Sequence, residues 1–172
     1  VWDSVAFNGL FITGYGNNDS HSCFVGWESG NNFCAHIHAK SPEREELIKA
    51  LVRGDCYSAD PTIWKEGEFR MVCEGRPMGS AIRTLKGNTH TVAFSLKLPQ
   101  GPFKLAITSH ERELGTYALE GGDYNLKAEI KVEKPVEAVR VMIYDANGRC
   151  AMFSNPIYLV SDPGIDIPPH RE

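Results

Sequence analysis

Two short histidine-bearing patterns are the parts of this sequence whose residue types and spacing could do chemistry. The first is Asp19-x-His21, inside "TGYGNNDSHS" from Thr13 to Ser22. A carboxylate oxygen and an imidazole nitrogen two residues apart can both reach one divalent ion at about 2.0–2.2 Å when nearby glycines fix the backbone. The same run of Asn, Asp, Ser and Gly is also what an ordinary solvent-facing turn contains, so the local pattern leaves both readings open. The second is His36-x-His38 in "NNFCAHIHAK". Period-two alternation puts both imidazoles on one strand face with Cys34 and Lys40, opposite Phe33, Ala35, Ile37 and Ala39. That pair would chelate zinc if Asp19 or His21 joined it; the alternative is the polar, solvent-facing side of an amphipathic strand.

Other chemistries find less footing. There is no G-x-S-x-G elbow, and "GYGNND" lacks both the third glycine and the following apolar run of a dinucleotide-binding turn. His90, His110 and His170 show no ligand spacing and are expected at the surface. Asn18-Asp19-Ser20 has the form of a glycosylation sequon without any secretory feature beside it. The five cysteines (Cys23, Cys34, Cys56, Cys73, Cys150) are odd in number and contain no C-x-x-C pair. They read as free thiols, which points to a reducing, cytoplasmic setting. Eighteen basic and 22 acidic residues give a net charge of −4 with no clustered Lys/Arg stripe, so nucleic acid is not an expected partner. No apolar run approaches the ~18 residues that span a bilayer, so no membrane partner is expected either.

The elements that must position these residues follow from pattern. "LFITGYG" reads as a short strand entering a glycine-rich turn, after a brief helix closed by Gly9. "SPEREELIKALVRG" is the clearest helix, with Ser41 as N-cap, Pro42 at the first helical position, acidic residues in the first turn and Gly54 as the stop. Leu47, Ile48, Leu51 and Val52 form its apolar face. From about residue 66 the helical period disappears. "EFRMVCE", "THTVAFSLKLP", "FKLAITSH", "GTYALE", "YNLKAEIKVE", "EAVRVMIYD" and "CAMFSNPIYLV" alternate at period two, separated by turn residues. About seven such strands predict a mainly β chain with an immunoglobulin-like β-sandwich. The "DANGR" segment predicts a type I′ hairpin turn, and the proline-rich tail from residue 161 to 172 an extended or frayed end.

Several segments in order, "WDSVAFNGLFITGYGNNDSH", "SPEREELIKALVRGDCYSADP", "MGS" at Met78–Ser80 and "SNPIYL" at Ser154–Leu159, resemble the C-terminal part of a metal-dependent phosphoesterase of the PHP (polymerase and histidinol phosphatase) superfamily. The resemblance implies that residues 1–65 are a small α/β remnant of a distorted (β/α)7 barrel, that 66–160 are an appended β-sandwich, and that 161–172 are a tail. It implies Asp19 and His21 as metal ligands, divalent ions (Zn, Mn or Fe) as cofactors, and a small phosphorylated substrate hydrolysed by metal-activated water. The family's opening H-x-H and its intervening ligands have no counterpart. The resemblance therefore implies a C-terminal fragment of a longer protein, inactive alone, holding metal weakly, and able to self-associate through surface exposed by truncation. The competing expectation is a β-sandwich module without chemistry of its own that binds carbohydrate or a protein partner. Exposed aromatics among Phe94, Phe103, Tyr117, Tyr124 and Tyr144 would favour carbohydrate, and buried ones a structural role.

Overall fold

The computed structural model describes Val5 and residues 9–16, 33–109 and 112–172. Asp19, His21, Cys23 and His110 lie outside the described residues. Among those described, the chain is mainly β, with two sheets and no barrel.

The smaller sheet comes from the cleanest alternation in the sequence. Along β6 (Thr89–Leu98) every second side chain, from His90 through Val92, Phe94 and Leu96 to Leu98, is buried, as expected of a strand with one face on a core. It pairs antiparallel with β3 (Glu68–Cys73) and with β9 (Gly122–Lys131), and β3 also pairs with the two-residue β4 (Arg76–Pro77).

The larger sheet is built around β10 (Val136–Asp145). On one flank lies β7 (Phe103–Ser109), which continues to β8 (Arg112–Leu119). On the other flank β11 (Cys150–Ser154) and β12 (Ile157–Val160) pair with successive parts of β10, interrupted only by Asn155-Pro156. Beyond them β2 (Cys56–Ala59) pairs with β11, β5 (Ala81–Arg83) runs parallel to β12, and β1 (Cys34–Ile37) closes the edge against β2. One hydrophobic cluster joins the sheets, with Phe69, Met71, Phe94 and Leu96 from the smaller and Tyr57, Leu105, Ile107, Val141 and Ile143 from the larger.

Several sequence expectations change. The helix α1 spans Arg44–Arg53 with Glu43 rather than Ser41 at its N-cap; the first helical bond runs from Leu47 N–H to the Glu43 carbonyl, while the Ser41 hydroxyl accepts only from Glu43 N–H at 3.4 Å. Gly54 does end it, at φ +81, donating to the Ala50 and Leu51 carbonyls. Of the expected apolar face, Ile48 and Val52 are 47% and 51% exposed, and Ala50 is the buried residue instead. The "DANGR" turn is not type I′, because among its residues only Gly148 has positive φ. Asp145 organises it, accepting from the backbone N–H of both Asn147 and Arg149 at 2.9 Å.

"LFITGYG" joins no ladder. Side chains hold it: Asn155 accepts from Gly14 N–H and donates to the Gly14 carbonyl, Ser58 Oγ accepts from Gly16 N–H, and Tyr158 OH donates to the Ile12 carbonyl. The tail is not frayed. Ile165 and Ile167 join Phe11 over a second cluster of Ala81, Val136, Ala138, Tyr158 and Val160. Arg171 is 3% exposed and donates to the carbonyls of Arg53, Gly79 and Phe11 and to the Thr13 hydroxyl.

Candidate functional site

Where β1 meets the outward face of the smaller sheet there is a cleft of ≈ 510 Å³, within the range of small-ligand sites. Its floor comes from strand alternation. Residues that turn away from the core on β3, β6 and β9 line up in two cross-strand rows, Glu68–Lys97–Asp123 and Arg70–Ser95–Asn125. Two carboxylates and two cations cancel, and a hydroxyl and an amide complete the surface. The floor is rich in donors and acceptors yet carries no net charge.

The wall is supplied by His36, Ile37, His38 and Tyr57. In register opposite one another, His36 and Tyr57 stack with ring centroids 4.6 Å apart and planes 11° apart. Burial, and secondarily the neighbouring His38, lower the His36 pKa from its ordinary value, so near neutral pH it presents an uncharged ring. Tyr57 is buried, its OH donates to the Gly67 carbonyl at 3.4 Å, and burial pushes its pKa up. His38 is held differently, with Nδ1 3.2 Å from Asp55 Oδ1 and its backbone N–H donating to the Asp55 carbonyl. Asp55 lies just past the Gly54 stop and also faces Arg53 at 3.5 Å. His36 and His38 are therefore half-buried and pack on Tyr57, while Cys34 and Lys40 at the ends of the same face are exposed.

The expected ligands Asp19 and His21 lie outside the described residues, although Gly14 and Gly16 just before them are fixed against Asn155 and Ser58. Among the described residues no group of three or more His, Cys, Asp or Glu side chains is placed to hold a metal ion. Sequence reasoning found His36 and His38. It missed the floor of the cleft, whose residues are ordinary surface positions until three strands align them, although the period-two pattern of β3, β6 and β9 carried the needed signal.

The buried thiols, the buried Glu137 and most of the aromatics serve the fold. Burial raises the thiols of Cys56 and Cys73 to about 11, too high for a reactive thiolate. The buried Glu137 carboxylate accepts from Ser109 Oγ, from Arg112 and from the backbone N–H of Glu133 and Lys134. Phe94 and Phe103 are buried, and Tyr117 and Tyr124 pack against the main cluster, Tyr124 also lining the cleft; by this measure the aromatics favour a structural role, so a carbohydrate reading rests on the cleft itself.

Comparison with known proteins corrects the family expectation. No protein-family model matches the chain, that of the PHP superfamily included. No curated protein matches it. A crystal structure of a DUF3823 family protein from Bacteroides ovatus is similar over 55% of this chain and 53% of that one, at 13% identity and a TM-score of 0.34; the match spans about half the length of that structure. The PHP resemblance is therefore withdrawn, and with it the barrel remnant: β1 and β2 lie in the same sheet as β10 and β11. Nor is any helix among the described residues long and apolar enough to cross a membrane.

Proposed function

We propose that the chain is a β-sandwich binding module, immunoglobulin-like in its predominantly antiparallel pairing, whose cleft binds a neutral, hydroxyl-rich ligand of the carbohydrate class. The carrying observation is the charge-compensated floor beneath a neutral stacked imidazole. A sugar hydroxyl both donates and accepts, so it is matched by alternating Glu68, Lys97, Asp123, Arg70, Ser95 and Asn125 without leaving an unpaired charge. The outer face of His36, held flat by its stack on the buried Tyr57, offers a planar surface on which a pyranose ring can rest. A phosphorylated or otherwise strongly anionic ligand fits less well, because both cations of the floor already face carboxylates or polar neighbours. Phosphoester hydrolysis through ions at Asp19 and His21 draws no support from the described residues, since both ligands lie outside them.

The reading is tested by calorimetric titration against a panel of neutral oligosaccharides. Binding by at least one, weakened about 10-fold or more in Arg70→Ala and about 3- to 10-fold in Asn125→Ala, is the expected result, since a hydrogen bond to a charged group is worth about 1.5–3 kcal/mol and a neutral one about 0.5–1.5 kcal/mol. Failure of every saccharide to bind at millimolar concentration, or binding that neither substitution weakens, would overturn it. A protein captured through the same face in place of a sugar would also count against it.

A further inference from the structure

Away from the cleft, two polar side chains from different connections meet a histidine of β6 in a line. Thr84 follows β5 directly and its backbone N–H donates to the Val160 carbonyl at 3.1 Å. His90 is the second residue of β6 and is 8% exposed. Glu74 opens the two-residue turn between β3 and β4, where it and Gly75 have φ of +51 and +77, the geometry of a tight hairpin. Thr84 Oγ1 lies 2.6 Å from His90 Nε2, and His90 Nδ1 lies 2.7 Å from Glu74 Oε1. A surface position was expected for His90; the structure instead buries it between these two partners.

The polarity of this line follows from its members. An ionised carboxylate only accepts, so the proton between His90 and Glu74 sits on Nδ1 and is donated to Oε1. In the neutral ring Nε2 is then an acceptor, and the Thr84 hydroxyl must donate to it. That is the arrangement in which a histidine serves as general base for a hydroxyl nucleophile while a carboxylate fixes its tautomer. The nucleophile is also held in place. Gly87 N–H donates to the Val132 carbonyl, Val132 N–H to the Asn88 carbonyl and Asn88 N–H to the Leu85 carbonyl, at 2.8–3.1 Å. The Asn88 side-chain amide donates to Thr84 Oγ1 at 3.4 Å, which helps to fix the orientation of the hydroxyl. Next to Thr84, Leu85 is 70% exposed and offers an apolar contact for an acyl chain.

We propose that Thr84 is a nucleophile toward activated acyl esters, with His90 as general base and Glu74 as its positioning residue. In the first step His90 Nε2 takes the Thr84 proton, the Oγ1–acyl carbon bond forms, the bond to the leaving alkoxide breaks, and His90 returns the proton to the departing alcohol. In the second, water attacks the acyl-threonine, again giving its proton to His90. The carboxylic acid leaves and the threonine hydroxyl is restored. No redox partner is needed. This activity is independent of ligand binding in the cleft, and either can fail alone.

The test is intact-mass and peptide mapping of the full chain after exposure to p-nitrophenyl acetate and, separately, to a fluorophosphonate, with the rate followed against reagent concentration. The expected result is one adduct on Thr84, retained in Thr84→Ser and absent in Thr84→Val. Its maximal rate should fall about 100-fold in His90→Gln, the order of effect for a general base. Glu74→Gln should lower the maximal rate while leaving the half-saturating reagent concentration unchanged; because Glu74 is 55% exposed, this variant keeps the question answerable if His90→Gln does not fold. No adduct on Thr84 in folded protein, or a rate indifferent to both His90→Gln and Glu74→Gln, would overturn the proposal.

Discussion

His36 shows how one strand position acquires a chemical character that its type does not give it. Burial against Tyr57, with His38 second, lowers its pKa in the folded chain from 6.5. Above that value the ring is neutral in both states. As pH falls below about 6.5 the unfolded chain takes up the proton first, so stability decreases with falling pH until the folded ring also protonates. Subtracting the urea midpoints of His36→Gln from those of the parent between pH 7.5 and 5 should leave a difference that declines with acidification; a flat difference would contradict the assigned cause. Tyr57 is the other half of the pair and faces Trp64 and Phe69 edge-on. Its truncation in Tyr57→Ala should therefore cost about 3–5 kcal/mol in equilibrium unfolding, as for other large aromatics in cores, besides removing the surface on which His36 rests.

At the scale of elements, the contrast between strands and the segment at residues 10–16 explains what was legible in the sequence. β6 and β9 were readable because each repeats one instruction every second residue over ten positions, which local pattern captures. The run "LFITGYG" has the composition of a strand, but its partner is the side chain of Asn155, 141 residues from Gly14, and no local window contains that information. The Thr84–His90–Glu74 line was hidden for another reason: Thr84 and Glu74 lie only 6 and 16 positions from His90, but the β3–β6 pairing, not any sequence spacing, brings them together. Asn155 satisfies Gly14 in both directions and also donates to the Cys56 carbonyl at 2.8 Å. Asn155→Ala strands these groups and should lower stability by about 2–4 kcal/mol, two or three net hydrogen bonds' worth, with amide exchange at Gly14 accelerating more than at β6. An unchanged exchange rate at Gly14 would mean that the segment is held by something else. The crossing of α1 with the Met78–Ser80 loop is stricter still. A Cβ on Gly79, at φ +82, would stand 1.9 Å from the Arg53 carbonyl oxygen, so Gly79→Ala should not reach the native fold, as read by loss of near-ultraviolet dichroism.

For the whole molecule, the cation at Arg171 decides how the pieces are fastened. Desolvation lowers its pKa from the usual value, yet its acceptors include the last carbonyl of α1, where the helix dipole favours positive charge. Arg171→Ala should cost roughly 3 kcal/mol and expose the Phe11, Ile165 and Ile167 cover over Tyr158 and Val160 to fraying; an unfolding midpoint indistinguishable from the parent would show the tail to be dispensable. The composition of "SDPGIDIPPHRE" suggested an idle end because prolines and charges say nothing about which distant carbonyls await a guanidinium. The helix, most strands and the core were foreseeable from local pattern, whereas the fastening of residues 9–16 and 161–172 belongs to contacts spanning most of the chain.

That fastening also has a bearing on how the polypeptide could be re-ordered. Arg171 Nη2 and the Phe11 carbonyl are 160 positions apart in sequence and 3.1 Å apart in space. A short linker could therefore join the two neighbourhoods with little strain, and an opening cut at the exposed Asn147-Gly148 hairpin would leave every ladder of both sheets intact except the β10–β11 turn itself. In residues 11–171 re-ordered in that way, β11 and β12 precede in sequence the strands they now close upon.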